Sequence, residues 1–161
     1  MKSELVGLTG QNNYFEDFNV GDVYAHARGK TVTEMDNVLI TNLVMNTAQG
    51  HFNEHRMQST PLGRRIVFGG VTAALVVGLA MEDTGENALA ELGLDRVRFL
   101  KPVFHGDTLY AYTQVLAKSD GDRPDAGIVH FKHWGVNQKG EVVFEAERTV
   151  LVKRRSHWAV P

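Results

Sequence analysis

His51 follows a Gln49-Gly50 break. An imidazole delivered from a loop suits acid–base chemistry, because a histidine is mostly neutral at cellular pH and can accept a proton. The competing reading is a loop histidine whose ring is simply satisfied by backbone. The same stretch, His51-Phe-Asn-Glu54-His55, spells H-x-x-E-H, the inverted zinc-peptidase motif. That motif needs both imidazoles on one helix face and a distant acidic ligand, and the Gln-Gly break argues against it, so no metal is expected. Further along, Gly69-Gly70 opens a long apolar stretch. Two residues without side chains at a helix start leave N–H groups uncovered at the positive end of the dipole, a place to receive an oxygen carrying partial negative charge. Close packing of helix on sheet would call for glycine equally well. Arg64, Arg65 and Arg98 are either anion contacts or ordinary solvated charge, and His130 and His133, on opposite faces of one strand, read as structural.

Composition narrows the classes. The 17 Lys+Arg and 19 Asp+Glu leave a net charge of −2, and the cations cluster only at Arg64-Arg65 and Lys153-Arg154-Arg155. No basic stripe of a nucleic-acid binder exists, and the C-terminal triplet reads as a solvated tail. The absence of cysteine from 161 residues excludes disulfides, thiolate nucleophiles and cysteine-ligated zinc. No run of about 18 apolar residues occurs and no secretory leader is recognisable, so a cytoplasmic protein without membrane contact is expected.

The elements that must position these groups follow from hydrophobic period. Residues 1–13 read as a loose arm, 14–153 as one domain and 154–161 as a tail. A short strand or two spans Val23–Ala27 and Lys30–Thr33. Thr33 and Asp36 form a capping box with Asp in place of Glu, and a helix follows from Met35 to about Met45. Its Val38, Ile40, Leu43, Val44 and Met45 are apolar against polar Asp36, Asn37, Thr41 and Asn42, so one face can be buried. The stretch Gly69–Met81 is apolar on nearly every side and reads as a fully buried central helix. From Val97 the period becomes two, predicting strands at 97–100, 109–116, 128–134 and 142–152 joined by short turns, hence an antiparallel meander. A buried helix is covered on several sides only if that sheet curls around it, which makes the class α+β.

These residues resemble the MaoC-like (R)-specific hydratases and dehydratases of the hot-dog fold over roughly Tyr14 to Lys153. Four matches in order carry the resemblance: Tyr14-Phe-Glu-Asp-Phe18 with Val20-Gly21; Met45 to Asn53 on the hydratase motif Gly-Asp-x-Asn-Pro-x-His-x-Asp; Ile66-Val-Phe-Gly69-Gly70 on the family's His-Gly step; and Arg98-Phe-Leu-Lys-Pro-Val-Phe-His-Gly-Asp107. The chain departs from the family at Asn46, which replaces the usual catalytic Asp, at Ala48-Gln49, which replaces Asn-Pro, and at Phe68, which replaces His. The branch acting on itaconyl-, mesaconyl- or methyl-branched enoyl-CoA is the most similar.

The resemblance implies addition or removal of water at the double bond of an enoyl-CoA thioester. His51 would then be the base and Gly69 the oxyanion donor. Asn46, an amide without useful basicity, would orient the water, unless it is simply a helix C-terminal residue. Phe68, Gly70, Arg64, Arg65 and Arg98 would contact substrate, the arginines through coenzyme A phosphates, with Lys101 a further candidate. No cofactor is expected beyond the coenzyme A of the substrate itself, and the fold implies a homodimer or higher homo-oligomer joined through sheet edges. An acyl-CoA thioesterase on the same fold is the second reading, weakened because Glu82 and Asp83 lie at the far end of the helix. A non-catalytic acyl-CoA-binding subunit is the third.

Overall fold

The computed structural model describes residues 13–159. The expected arm therefore lies outside the described residues except for Asn13, whose side chain donates to the Glu82 carbonyl at 3.1 Å. Five strands, β1 (Val23–Thr31), β2 (Ala88–Phe99), β3 (Thr108–Asp120), β4 (Ala126–Asn137) and β5 (Val142–Lys153), form one sheet in the order β1-β3-β4-β5-β2, every pair antiparallel. The helices are α1 (Glu34–Leu43), α2 (Gln49–Phe52), α3 (Glu54–Gln58), α4 (Gly69–Thr84) and α5 (Arg155–Trp158).

Strands β3, β4 and β5 are the expected meander. The first strand of the expected four departs from it. β2 begins at Ala88, well before Val97, and pairs with β5 at the opposite edge instead of forming a hairpin with β3. Residues 100–107 cross the sheet end to reach β3, fixed by Leu100 N–H to the Val143 carbonyl, Gly106 N–H to the Val32 carbonyl and the Val103 carbonyl accepting from Val67, all at 2.8 Å. Period two identifies a strand but not its neighbour, and here a crossing segment replaces the tight turn a hairpin needs.

Helix α4 lies in the concave face, close enough to the sheet that a Cβ on Gly135 would stand 2.5 Å from Val76 Cγ2. Val71, Thr72, Val76, Ala80 and Thr84 are buried. The expectation of full burial fails on the other side, where Ala74 and Gly78 are exposed, because one sheet reaches only part of a helix circumference. Helix α1 also departs from expectation. Its capping box is present, with Thr33 N–H donating to Asp36 Oδ2 at 2.7 Å and Asp36 N–H to Thr33 Oγ1 at 3.2 Å. Yet the residues it buries are Asn37 and Thr41, while Leu43, Val44 and Met45 are exposed.

A polar belt crosses the concave face between two apolar clusters, one around Val76, Leu109, Ala111, Phe144 and Ala146, the other around Phe18, Val115, Phe131 and Val150. In it Asp83 meets His26 Nδ1 (2.6 Å), His26 Nε2 meets Thr113 Oγ1 (2.7 Å), and Thr113 Oγ1 meets His133 Nδ1 (2.7 Å). Arg148 continues the belt on β5, donating to Glu91 and to Thr84 Oγ1. The Thr–His–Asp order has the connectivity of a nucleophilic triad, but Thr113 is wholly buried, so the belt is structural. His130 is likewise held by Thr149 and Glu147, in keeping with the structural reading of both strand histidines. The C-terminal basic residues are not a solvated tail: Arg154 pairs with Asp120, Arg155 with Asp17, and Lys153 lies over the Trp158 ring. Half-buried cations at this edge find carboxylates within reach.

Candidate active site

Helix α1 ends in a Schellman turn, with Asn46 N–H donating to the Thr41 carbonyl, Met45 N–H to the Asn42 carbonyl, and Met45 at φ 57°. The chain then enters the one-turn helix α2, so His51 stands on a short helix where a loop was expected. Its Nδ1 lies 2.9 Å from the Ile66 carbonyl. A carbonyl only accepts, so Nδ1 carries the proton and Nε2 is left as the bare, basic nitrogen. Ile66 N–H returns a bond to the Gly50 carbonyl at 3.1 Å, so the segment leading to α4 clamps the turn bearing His51.

At the start of α4 the donors are divided unequally. Phe68 N–H is taken by Asn37 Oδ1 at 2.9 Å, and the Phe68 carbonyl accepts from Val71 and Thr72. Among the described residues this leaves the Gly69 and Gly70 N–H groups without an acceptor. Both glycines are also demanded by packing. A Cβ at Gly69 would come 2.9 Å from Phe99 Cε1, and one at Gly70 would come 2.4 Å from Phe68 Cε1. The two readings of the glycine step are therefore compatible: rings approach the backbone closely, and the amides stay uncovered.

These groups share one cavity of about 680 Å³, walled by His51, Phe68, Gly69, Gly70, Thr72, Phe99 and Val103, with Lys101 at its border. The wall is overwhelmingly apolar, and the His51 and Phe68 rings lie 5.6 Å apart. A basic nitrogen and two free amides in an apolar chamber can remove a proton from one atom and stabilise negative charge on another.

The model of one protein family, mesaconyl-CoA hydratase, matches residues 7–154. The chain belongs to the mesaconyl-CoA hydratase family. It is 38% identical over 162 residues to a β-methylmalyl-CoA dehydratase of Chloroflexus aurantiacus, covering 91% of this chain and 46% of that protein. It is 31% identical over 152 residues to a mesaconyl-CoA hydratase of Cereibacter sphaeroides, covering 91% and 43%. The chain thus spans less than half the length of these curated relatives. Among solved structures, a MaoC-like dehydratase of Rhodospirillum rubrum superposes with TM-score 0.77 at 28% identity, covering 92% of this chain and 99% of that one. A double-hot-dog protein of Mycobacterium tuberculosis superposes with TM-score 0.82 at 18% identity, covering 96% and 48%. The curled sheet around α4 is a hot-dog fold.

Of the residues singled out by family likeness, His51, Phe68, Gly69, Gly70 and Lys101 line the cavity, and Asn46, Arg64, Arg65 and Arg98 do not. Asn46 is absent from its wall: its Oδ1 accepts from Ala48 N–H at 3.1 Å, closing an Asx turn. Arg65 is not a free phosphate ligand, because it is clamped between Glu34 and Glu54, whose carboxyls it holds below their usual range by hydrogen bonding and charge. Arg64 is exposed and stacks over the Phe104 ring at 3.9 Å. Arg98 is exposed beside Glu145, outside the cavity, and Lys101 pairs with Glu141 at 2.7 Å. The H-x-x-E-H stretch is split between α2 and α3 at extended Asn53, so its histidines share no helix face. Sequence reading missed Asn37, Thr72, Phe99 and the Ile66 carbonyl. Only Thr72 carried a signal, its place one turn into the glycine-led helix.

Proposed function

We propose that the chain is a carbon–oxygen lyase, an enoyl-CoA hydratase or in reverse a dehydratase, acting on a branched or dicarboxylic enoyl-CoA thioester. The observation that carries this reading is the meeting in one cavity of a histidine bare at Nε2 with the unpaired Gly69 and Gly70 amides. The names of the two curated relatives support the substrate class.

In hydration, Nε2 of His51 takes a proton from water as the oxygen bonds to the β-carbon. The double-bond electrons move toward the thioester, and the resulting enolate oxygen is held by the Gly69 and Gly70 N–H groups. One such donor contributes about 10²–10³ in rate. The imidazolium then returns the proton to the α-carbon on the same face, restoring the thioester and neutral His51. Elimination runs the same steps backward. Proton transfer and charge stabilisation suffice, so the coenzyme A of the substrate is the only cofactor chemistry the reading calls on. A thioesterase is disfavoured because the acids at the far end of α4 are engaged, Glu82 with Arg28 and Asp83 with His26.

The partner belonging to this reading is a second copy of the chain. Leu92, Leu94, Val97 and Phe99 are exposed along β2, which among the described residues pairs only with β5, and Ala74 and Gly78 are exposed beside it. A twelve-residue edge strand carrying four exposed apolar side chains invites pairing, so a homodimer or higher homo-oligomer joined there is the natural assembly. Among the described residues no helix is long and apolar enough to cross a membrane. The reading places the protein in the cytoplasm with its acyl-CoA substrates.

The deciding experiment follows enoyl-thioester absorbance and free thiol together on itaconyl-, mesaconyl-, crotonyl- and tiglyl-CoA. Absorbance loss without thiol is expected. Thiol release would replace the proposal with a thioesterase, and neither signal would leave an acyl-CoA-binding module.

A further inference from the structure

Asn37 is wholly buried on a helix whose apolar residues Met35, Leu39 and Leu43 face outward. An inward polar side chain on such a helix must have its hydrogen bonds satisfied, and both ends of this amide lead to the candidate site. Oδ1 accepts from Phe68 N–H at 2.9 Å, and Nδ2 points to the His51 carbonyl at a longer 3.5 Å. Because His51 Nδ1 is bound to the Ile66 carbonyl two residues before Phe68, the contacts close a ring through Asn37, Phe68, Ile66 and His51. That ring joins α1, the turn carrying the base and the first turn of α4. It also decides which amides are free: by occupying Phe68 N–H, Asn37 confines the unpaired donors to Gly69 and Gly70.

We propose that Asn37 is a positioning residue, setting the distance between the His51 imidazole and the oxyanion donors of α4 without touching substrate. The inference rests on the hydratase reading. Two groups acting on adjacent carbons and an oxygen of one substrate tolerate little relative movement, and a misplacement of about 1 Å costs on the order of 10²-fold in rate. Replacement by leucine keeps the volume and deletes both bonds. Aspartate keeps an acceptor for Phe68 N–H but turns an anionic oxygen toward the His51 carbonyl and places negative charge beside the oxyanion donors.

The test compares parent, Asn37→Leu and Asn37→Asp by steady-state kinetics on the best enoyl-CoA of the panel and by nitrogen-15 NMR of the imidazoles. In folded Asn37→Leu, kcat is expected to fall about 10²-fold with KM changed less than about threefold, the split that marks loss of transition-state geometry. The His51 ring is expected to change from a single Nδ1–H tautomer to a mixture. Asn37→Asp is expected to lose kcat similarly, and if the leucine variant does not fold, the aspartate variant decides by the same criteria. A folded variant with parental kcat and an unchanged His51 spectrum overturns the proposal. If the parent hydrates no thioester, the hydratase reading has failed, and the imidazole spectra alone then decide whether Asn37 positions His51.

Discussion

At His51 one hydrogen bond decides the tautomer, since the Ile66 carbonyl accepts only from a protonated Nδ1 and so leaves Nε2 of the neutral ring as the acceptor. On the hydratase proposal His51→Ala removes the base, and with it the Nδ1 bond to the Ile66 carbonyl and the ring contact with Phe68. We expect it to lower kcat by about 10²–10⁴ while the protein stays folded with a melting temperature lower by a few degrees, measured by enoyl absorbance and thermal unfolding. Asn46→Asp tests the residue that departs from the hydratase motif. Because Asn46 uses an oxygen to cap Ala48 N–H, aspartate preserves that turn, and both fold and hydration rate are expected to persist within about threefold of parent. Loss of hydration in a folded Asn46→Asp would mean that the amide has its own part in the reaction.

At the scale of elements, the N-terminus of α4 and the polar residues buried on α1 matter most. Gly70 admits the Phe68 ring so closely that an added methyl must displace it toward its neighbours, among them the His51 ring. Gly70→Ala is therefore expected to destabilise by about 1–3 kcal/mol, read as a fall of several degrees in melting temperature, and to reduce turnover in the folded fraction. Helix α1 can bury Asn37 and Thr41 because their polar atoms find partners, Thr41 within its own helix and Asn37 at the start of α4. Thr41 Oγ1 returns to the Asn37 carbonyl at 2.7 Å, and Asn37 serves α4.

For the whole molecule, the polar belt makes stability depend on pH. Burial, reinforced by the Arg148 charge, lowers the His133 pKa to about 3. An unfolded chain protonates this histidine near 6.5, so between about pH 3 and 6.5 the unfolded state binds more protons and stability rises with pH. Acidification from pH 6.5 is expected to cost up to about 1.4 kcal/mol per pH unit from this group, and His133→Leu should flatten the dependence in urea titrations. Among the described residues His133 Nε2 has no hydrogen-bond partner, so the leucine variant should lose little beyond the bond to Thr113. Association is the second property at this scale. Leu94→Glu on the open edge of β2 is expected to shift the chain toward monomer in analytical ultracentrifugation.

Local pattern alone determined a good deal: the capped helix after Thr33, the glycine-led helix from Gly69, three of the strands and their meander, and the family through motifs in order along the chain. Each depends on neighbours in sequence, through helix period, strand alternation or the absence of a side chain. Tertiary structure alone decided that β2 crosses to β5, that α1 buries Asn37 and Thr41, that Arg65 is spent on two carboxylates, and that Asn46 closes a turn away from the cavity. These outcomes depend on partners distant in sequence, such as Glu34 for Arg65 and Phe68 for Asn37, and no local period encodes which distant groups a buried polar atom will find.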